Sequence, residues 1–418
     1  MSFDFGGVLK WTQYVSSFAV IAATLLSCAA IFGERNPGGL RQHILLIPLF
    51  LWLLYSILQI IPFSSGLVQT LSLGSYSAYT QWLQPLLSAN ELPTTFSVSV
   101  APHDSSHATA VLALVLGLVF ASSMVFHSRP RIAFLLGFIT VGAAAQAAFG
   151  LTRLAFPTAD LFDTVLDNAR ATFGAFINRN NAALFMNFGL ASGLGLLSWR
   201  LMALTGQEVD DDQFEMNDLM SLVSDRYSII AIISSVFCVG GILLCGSRGG
   251  MIGMIAGSLL AFGWIRQRRG WLTLPVAVAA IGIAAAVLLT PLRLSLSSIK
   301  RFEFFSPKAD TILNDGRMLH WPDGWEAAMA HFPSGSGLST YAYAYLPYQG
   351  TGLRAWAHHA DNLWLELFTE QGVFGIIFVA TVFVFFIRAL RRLGQSPDPI
   401  DQGLRATGWY LVGAILIS

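Results

Sequence analysis

Long uncharged runs of apolar residues recur along this chain and restrict it to one class of fold. A helix that crosses a bilayer needs about 20 largely apolar residues. Runs of roughly that length are Trp11–Phe32, Ile44–Ile61, Ala108–Phe126, Ile132–Thr152, Asn181–Trp199, Tyr227–Gly246, Gly249–Ile265, Trp271–Thr290 and about Ala360–Ile387. Because backbone polar groups find no partner in lipid, such runs cross the bilayer as helices.

The last apolar run, Thr407–Ser418, is too short to cross a membrane. We therefore expect the sequence to stop within a helix and the fold to be all-α and polytopic, with about ten or more transmembrane helices. The composition, 54% hydrophobic and 11% charged, lies far from that of a soluble domain. A formal net charge of +0 offers no basic surface for nucleic acid. Cys28, Cys238 and Cys245 lie inside apolar runs and form neither a disulfide framework nor a CxxC pair.

The distribution of arginine between the runs predicts the orientation of the chain. Cytoplasmic loops carry an excess of Lys and Arg. The residues that share one side, if the helices alternate, are Arg35, Arg41, Arg129, Arg131, Arg266, Arg268, Arg269, Arg388, Arg391 and Arg392. We expect N-terminal transmembrane helices in 1–290, an extracytoplasmic loop domain with helical segments and the active site in 291–359, and C-terminal transmembrane helices in 360–418.

Two arginines at the predicted outer ends of helices are candidate anion-binding groups. Arg179 follows Asn178 where one helix begins, and Arg248 lies in the SRGG run at 247–250. A guanidinium at membrane depth is costly unless it is paired or faces a wet cavity, and its planar fork suits phosphate oxygens. The alternative is that Arg248 only extends to the interface or pairs with a carboxylate. Arg317 is a third candidate, although alone it would be interpreted as surface charge.

Glycines repeat at four-residue spacing behind both arginines. Gly189 and Gly193 follow Arg179, and a second stripe of Gly249, Gly253 and Gly257 follows the SRGG arginine. Stripes of small residues allow helices to approach closely. We interpret them as packing surfaces of the helices that begin with the two arginines.

A cluster of titratable and amide side chains precedes the last long apolar run. Its members are His358, His359, Asp361, Asn362, Glu366 and Glu370. A histidine, with an ordinary pKa of about 6.5, accepts a proton near neutral pH, and a carboxylate does so when desolvation raises its pKa. Asp361 and Asn362 fall about one helical turn before Glu366, so the set can share a helix face. Two other roles stay open, a divalent metal site, although no HExxH spacing is present, and a helix cap at Asp361 or Asn362.

Aromatic residues fill the segment before this cluster. Pro322 and Asp323 predict the start of a short helix, which the PSGSG run at 333–337 ends. The aromatic residues beyond it are Tyr341, Tyr343, Tyr345, Tyr348 and Trp356. Their rings and hydroxyls would suit either a sugar ligand or an interfacial lid.

The order of these motifs resembles a known family. An NRN run opens one helix and an SRGG run opens another, then GR, W, GSGL and two tyrosines follow, and HADNLWLE leads to EQGVFG. Over roughly Phe173–Gly375 this order resembles the O-antigen ligase and O-antigen polymerase superfamily of bacterial inner-membrane glycosyltransferases. The N-terminal helices agree with the family only in hydropathy.

The resemblance implies a metal-independent, inverting transfer of a glycan, as in lipopolysaccharide and other polysaccharide biosynthesis. The donor would be a polyprenyl diphosphate, such as undecaprenyl diphosphate, and the acceptor a hydroxyl of a glycan, lipid or protein at the periplasmic face. No cofactor or nucleic acid is implied. Arg179 and Arg248 would bind the diphosphate and Arg317 would assist, while Asn178, Asn362, Glu366 and His358 would support the site.

One departure from the family leaves the identity of the base open. Family members commonly carry His-Asn before the final helix of the site, whereas this chain has Asp361-Asn362 with His359 two residues earlier. Either His359 or Asp361 is then the catalytic base. Ligase and polymerase share the same site logic, so the acceptor also stays open.

Two further classes of function compete with the transferase. A transporter or flippase of anionic lipid-linked substrates would also use arginines at helix ends, although no persuasive internal repeat is present. An intramembrane serine hydrolase would use Ser336 and His359, although Ser336 lies in a predicted loop.

Overall fold

The computed structural model describes residues 10–33, 46–83, 93–155, 173–204, 216–265, 320–350 and 356–417, which are mostly helical. The helices are α1 (Lys10–Gly33), α2 (Leu46–Ile60), α3 (Ser65–Leu71), α4 (Leu73–Leu83), α5 (Pro102–Val125), α6 (Arg129–Ala155), α7 (Arg179–Leu204), α8 (Met216–Ser224), α9 (Arg226–Leu244), α10 (Arg248–Ile265), α11 (Trp321–Ala330), α12 (Tyr341–Tyr345), α13 (Leu363–Leu393) and α14 (Pro399–Ile417). A 3₁₀ turn, Leu346–Tyr348, follows α12. Strands β1 (Pro62–Ser64) and β2 (Thr95–Ser97) pair antiparallel, with Phe63 opposite Phe96.

The predicted all-helical, membrane-like character is confirmed for the described residues. Five helices, α5, α6, α7, α9 and α13, are long and apolar enough to cross a membrane, and shorter apolar helices lie within α1, α2 and α10. Every predicted run overlaps a helix except Trp271–Thr290, which lies outside the described residues. The short run Thr407–Ser418 falls on α14, which begins earlier, at Pro399. A total of ten or more spans, the orientation and the division at 290 and 359 stay predictions.

The chain divides into two compact units. Unit 1 comprises Met1–Phe18, Val125–Ser306 and Arg388–Ser418, and unit 2 comprises Ala19–Met124 and Pro307–Ile387.

Unit 1 is a helical bundle in which α7 is the most enclosed of the membrane-crossing candidates. The predicted glycine stripes, one on α7 and one on α10, are contact surfaces within this bundle. A side chain at Gly189 would collide with Ala143 of α6, and one at Gly257 would lie 2.7 Å from the Tyr410 carbonyl of α14. Near the C-terminal end of α7, Arg200 forms a bidentate ion pair with Asp225, with N–O distances of 2.9 and 2.6 Å. This pair and the serine contacts around it hold the pKa of Asp225 at about 2.

Unit 2 is organised by buried hydrogen bonds around a turn. The PSGSG run ends α11, as predicted, and its Ser334 carbonyl accepts a hydrogen bond from Gln59 Nε2 at 2.7 Å. Gln371 of α13 donates to Gln59 Oε1, also at 2.7 Å. Beside Gln371, Gly372 lies in the left-handed region, with φ 58°, where a side chain would collide with the Pro333 carbonyl. The turn thereby fixes both the end of α11 and the kink in α13.

Candidate functional site

The two candidate arginines begin neighbouring helices of unit 1. Arg179 is the first residue of α7, and Arg248 is the first residue of α10. Next to them, Ser247 Oγ donates a 2.8 Å hydrogen bond to Asn180 Oδ1. A side chain at Gly250 would collide with Ala183 Cβ, so only glycine allows this close approach of the helix starts.

This arrangement is suited to an anion. Free N–H groups and the helix dipole give helix N-termini partial positive charge, and two such ends lie side by side here. Arg179 is half-buried and Arg248 is exposed. A Cβ atom at Gly249 would meet nothing within 4 Å, which leaves open space beside Arg248. Asn178, predicted to support the site, accepts a 2.8 Å bond from the Asn180 backbone N–H and so caps the start of α7.

A buried amide that no sequence prediction included holds the two helix starts together. Asn187 of α7 donates through Nδ2 to the carbonyls of Ala183, at 3.0 Å, and Gly250, at 3.1 Å. Its Oδ1 accepts a 2.7 Å bond from the hydroxyl of Tyr410. An asparagine in an apolar run, eight residues after the arginine of an NRN motif, was the available signal. Arg317, the third predicted cation, lies outside the described residues.

In unit 2 the structure brings together two of the predicted catalytic and supporting side chains. His359 Nδ1 lies 3.0 Å from Glu366 Oε1, and the other carboxylate oxygen accepts a 3.1 Å bond from the Ala360 backbone N–H. Glu366 thus holds both the imidazole and the turn that carries it. Among the residues of unit 2, this is the pairing expected of a base and the group that orients it.

The contact with Glu366 also changes the pKa of the His359 imidazole. The hydrogen bond that the imidazole donates to the Glu366 carboxylate raises the pKa of His359, while partial burial opposes the rise. The His359 side chain is 73% exposed, so a substrate can reach it. With Nδ1–H directed at Glu366, the neutral ring presents Nε2 as the proton acceptor.

The remaining predicted residues of this turn have distinct positions. Asn362 Oδ1 accepts the backbone N–H groups of Trp364, at 3.1 Å, and Leu365, at 3.3 Å, which confirms the predicted helix cap. Asp361 is exposed and has φ 50°, a conformation that Asp and Asn tolerate better than most residues. His358 is exposed, and its ring lies 4.5 Å from that of Trp356.

Glu370 and Ser336 have structural contacts in unit 2. The Glu370 carboxylate accepts the N–H groups of Ser339, at 2.7 Å, and Tyr341, at 3.0 Å. Ser336 is fully buried, and its hydroxyl contacts Thr340 Oγ1 at 2.8 Å. A buried hydroxyl held in this way is not available to a substrate, which disfavours the serine hydrolase.

The aromatic set splits into buried and exposed members. Tyr341 and Tyr345 are buried and stacked, with ring centroids 5.5 Å apart, and burial raises the pKa of both. Trp356 is exposed, and its Nε1 donates to the Ala342 carbonyl at 2.8 Å. A ligand can therefore reach Trp356 and the half-buried rings of Tyr343 and Tyr348, and not the two buried rings.

The alternative of a metal site finds no support in the residues that the structure describes. Over those ranges, no group of three or more His, Cys, Asp or Glu side chains could hold a metal ion.

Residues 233–380 match the sequence model of a protein family described as O-Antigen ligase. No curated protein and no solved structure matches the chain significantly. The matched segment contains Arg248, the His359–Glu366 pair and Asn362, and the match supports, as the sequence predicted, membership of the O-antigen ligase superfamily.

Proposed function

We propose that the protein transfers a glycan from a polyprenyl diphosphate to an acceptor hydroxyl at the periplasmic face of the bacterial inner membrane. The family match over residues 233–380 supports the coarse activity, a ligase-type glycan transfer. The observation that carries the finer proposal is the His359–Glu366 pair, an accessible imidazole held by a carboxylate within the matched segment.

On the donor side, Arg179 and Arg248 bind the diphosphate. Cleavage of the bond between the sugar C1 and the phosphate oxygen leaves negative charge on the polyprenyl diphosphate. Two guanidinium groups and two helix N-termini, fixed before the reaction, stabilise that charge. Arginine can hold phosphate oxygens in pairs of parallel hydrogen bonds, so the same groups orient the donor. Because these cations match the charge of the leaving group, the proposal requires no metal.

On the acceptor side, His359 Nε2 removes the proton of the hydroxyl as its oxygen attacks C1. The new C1–O bond forms on the face opposite the leaving diphosphate, so the anomeric configuration inverts. The proton remains on the imidazolium, which Glu366 stabilises, and passes to solvent after the product leaves. We propose His359 as the base rather than Asp361 because its second ring nitrogen is held by a carboxylate.

A reconstituted assay tests this proposal. The full chain in proteoliposomes is given a polyprenyl-diphosphate oligosaccharide and a panel of glycan, lipid and protein acceptors, with and without EDTA. We expect a joined product that persists in EDTA and is lost in Arg248→Ala. A product ladder on the lipid-linked donor would identify the polymerase alternative. Movement of the donor across the membrane without a new glycosidic bond would show a transporter and overturn the proposal.

A further inference from the structure

An apolar groove runs along the first part of α13, beside α11. Its volume of about 630 Å³ is within the range of roughly 300–1,000 Å³ that ligand sites occupy. Its walls are Trp321 and Trp325 of α11 and Trp364, Leu365, Phe368 and Ile376 of α13. Asn362, the cap of α13, lies at the start of the groove and supplies its polar side chain. The lining carries no ionised group.

The groove has a polar end at Asn362 and an apolar lining along the rest of its length. Trp364 and Phe368 lie one helical turn apart on the same side of α13, close to its capped end. Ile376 lines the groove beyond the Gly372 kink. Because α13 is long and apolar enough to cross a membrane, the groove leads from a polar end toward a segment surrounded by hydrocarbon.

The other wall has the properties of a helix lying at the membrane surface. With ten residues, α11 is too short to cross. It nevertheless exposes large apolar side chains, Trp325 at 56% and Met329 at 49%, and Phe332 follows at 46%. Aromatic and apolar residues on a short helix are typical of the interfacial region. A groove between such a helix and a spanning helix opens toward lipid chains.

The polar end of the groove contacts Ala360, the residue that follows the proposed base. Trp321 Nε1 donates a hydrogen bond to the Ala360 carbonyl at 3.0 Å. The backbone N–H of Ala360 donates a hydrogen bond to Glu366 at 3.1 Å. Glu366 in turn holds His359. A lipid chain in the groove would therefore place its head group beside the imidazole.

From this continuity we infer that the groove binds the hydrocarbon chain of the acceptor, which is a lipid whose reacting hydroxyl lies close to the chain. The inference rests on the proposed function. The occupant is the acceptor because His359 takes the acceptor proton, whereas the donor diphosphate is assigned to the arginines of unit 1. The acceptor class is thereby narrowed from glycan, lipid or protein to an amphiphile with a short hydroxylated head group.

Photolabelling tests this assignment without turnover. The probe is dodecyl glucoside with a diazirine in its alkyl chain, at low mole fraction in nanodiscs that contain the full chain. We expect adducts on residues 321–325 and 362–376, displaced by unlabelled dodecyl glucoside and not by undecaprenyl diphosphate. The double variant Trp325→Ala, Phe368→Ala should lower the adduct yield at least about tenfold, equivalent to about 1.4 kcal/mol. The matched control is Phe138→Ala, an exposed aromatic residue of α6 in unit 1, which should label as the wild type does.

A second variant keeps the test independent of truncated side chains. Ile376→Trp adds bulk at the far end of the groove, so octyl glucoside should gain as a competitor relative to hexadecyl glucoside when the variant is compared with the wild type. Unchanged chain-length preference, displacement by undecaprenyl diphosphate, or adducts spread evenly over the apolar helices would overturn the inference. Glycan transfer without groove labelling contradicts this inference alone. Groove labelling in a protein that forms no glycosidic bond contradicts the proposed function.

Discussion

The arginine helix starts of unit 1 and the His359 turn of unit 2 are built in different ways. In unit 1 close helix packing at a glycine positions the cations. Gly250 has no side chain and lies against Ala183, so α7 and α10 can begin side by side. In unit 2 hydrogen bonds between side chains and backbone position the base, through Glu366 and Asn362. The first region should therefore be sensitive to added volume, and the second to the loss of a single polar atom.

The base gives the sharpest contrast within unit 2. We expect His359→Gln to lower the transfer rate by about 10²–10⁴-fold, the usual contribution of general base catalysis. Asp361→Asn keeps a residue that tolerates φ 50° and removes only the charge, so its rate should stay close to that of the wild type. Initial rates at saturating donor and acceptor measure both. The reverse order of effects would identify Asp361 as the base.

The arginines give the corresponding test in unit 1. Arg248→Ala should lower the transfer rate by about 10²–10³-fold, as expected when one preorganised group is removed from a developing negative charge. Arg248→Lys keeps the charge without the planar fork and should recover only part of the loss. Rates with the polyprenyl-diphosphate donor measure the series. A lysine variant as active as the wild type would contradict bidentate binding of phosphate.

Two neighbouring glycines test whether packing positions the cations. Gly250→Ala introduces a collision with Ala183 and should destabilise unit 1 by about 1–3 kcal/mol, the usual cost of overpacking. The control Gly249→Ala meets open space, so its thermal stability in detergent should not fall. Equal melting temperatures for the two variants would remove the packing argument.

The helix cap provides the smallest expected effect. Asn362→Ala removes the acceptor for two backbone N–H groups and should cost about 1 kcal/mol. Hydrogen exchange at the first turn of α13 should increase, while the helix starts of unit 1 stay protected. Exchange unchanged at Trp364 and Leu365 would show that the cap is not needed.

The sequence predicted the elements better than their contacts. Apolar runs revealed the helices because every turn of a spanning helix faces an apolar environment, and proline with aspartate marked the start of α11. Asn362 was predicted as a cap because its position before an apolar run is a local signal. The pairing of His359 with Glu366 across seven residues depends on the turn at Ala360 and Asp361, which helical periodicity does not describe.

Contacts between distant segments were beyond sequence reasoning. Asn187, Gly250 and Tyr410 belong to three helices, and nothing local shows that their polar atoms meet. The same holds for Gln59 and Gln371, which are separated by most of the chain. By sequence Glu370 belongs to the titratable cluster before the last apolar run, yet its carboxylate accepts hydrogen bonds from backbone N–H groups.

The pH dependence of glycan transfer tests the central claim most directly. A base must be unprotonated to act, and Glu366 raises the pKa of His359, so the wild-type rate should increase with pH up to that raised pKa. Glu366→Gln can still hold Nδ1 but loses the negative charge, so its rate profile should move to lower pH. The same shift should be absent in the His359→Gln background. A profile that stays in place in Glu366→Gln would contradict His359 as the base of the reaction.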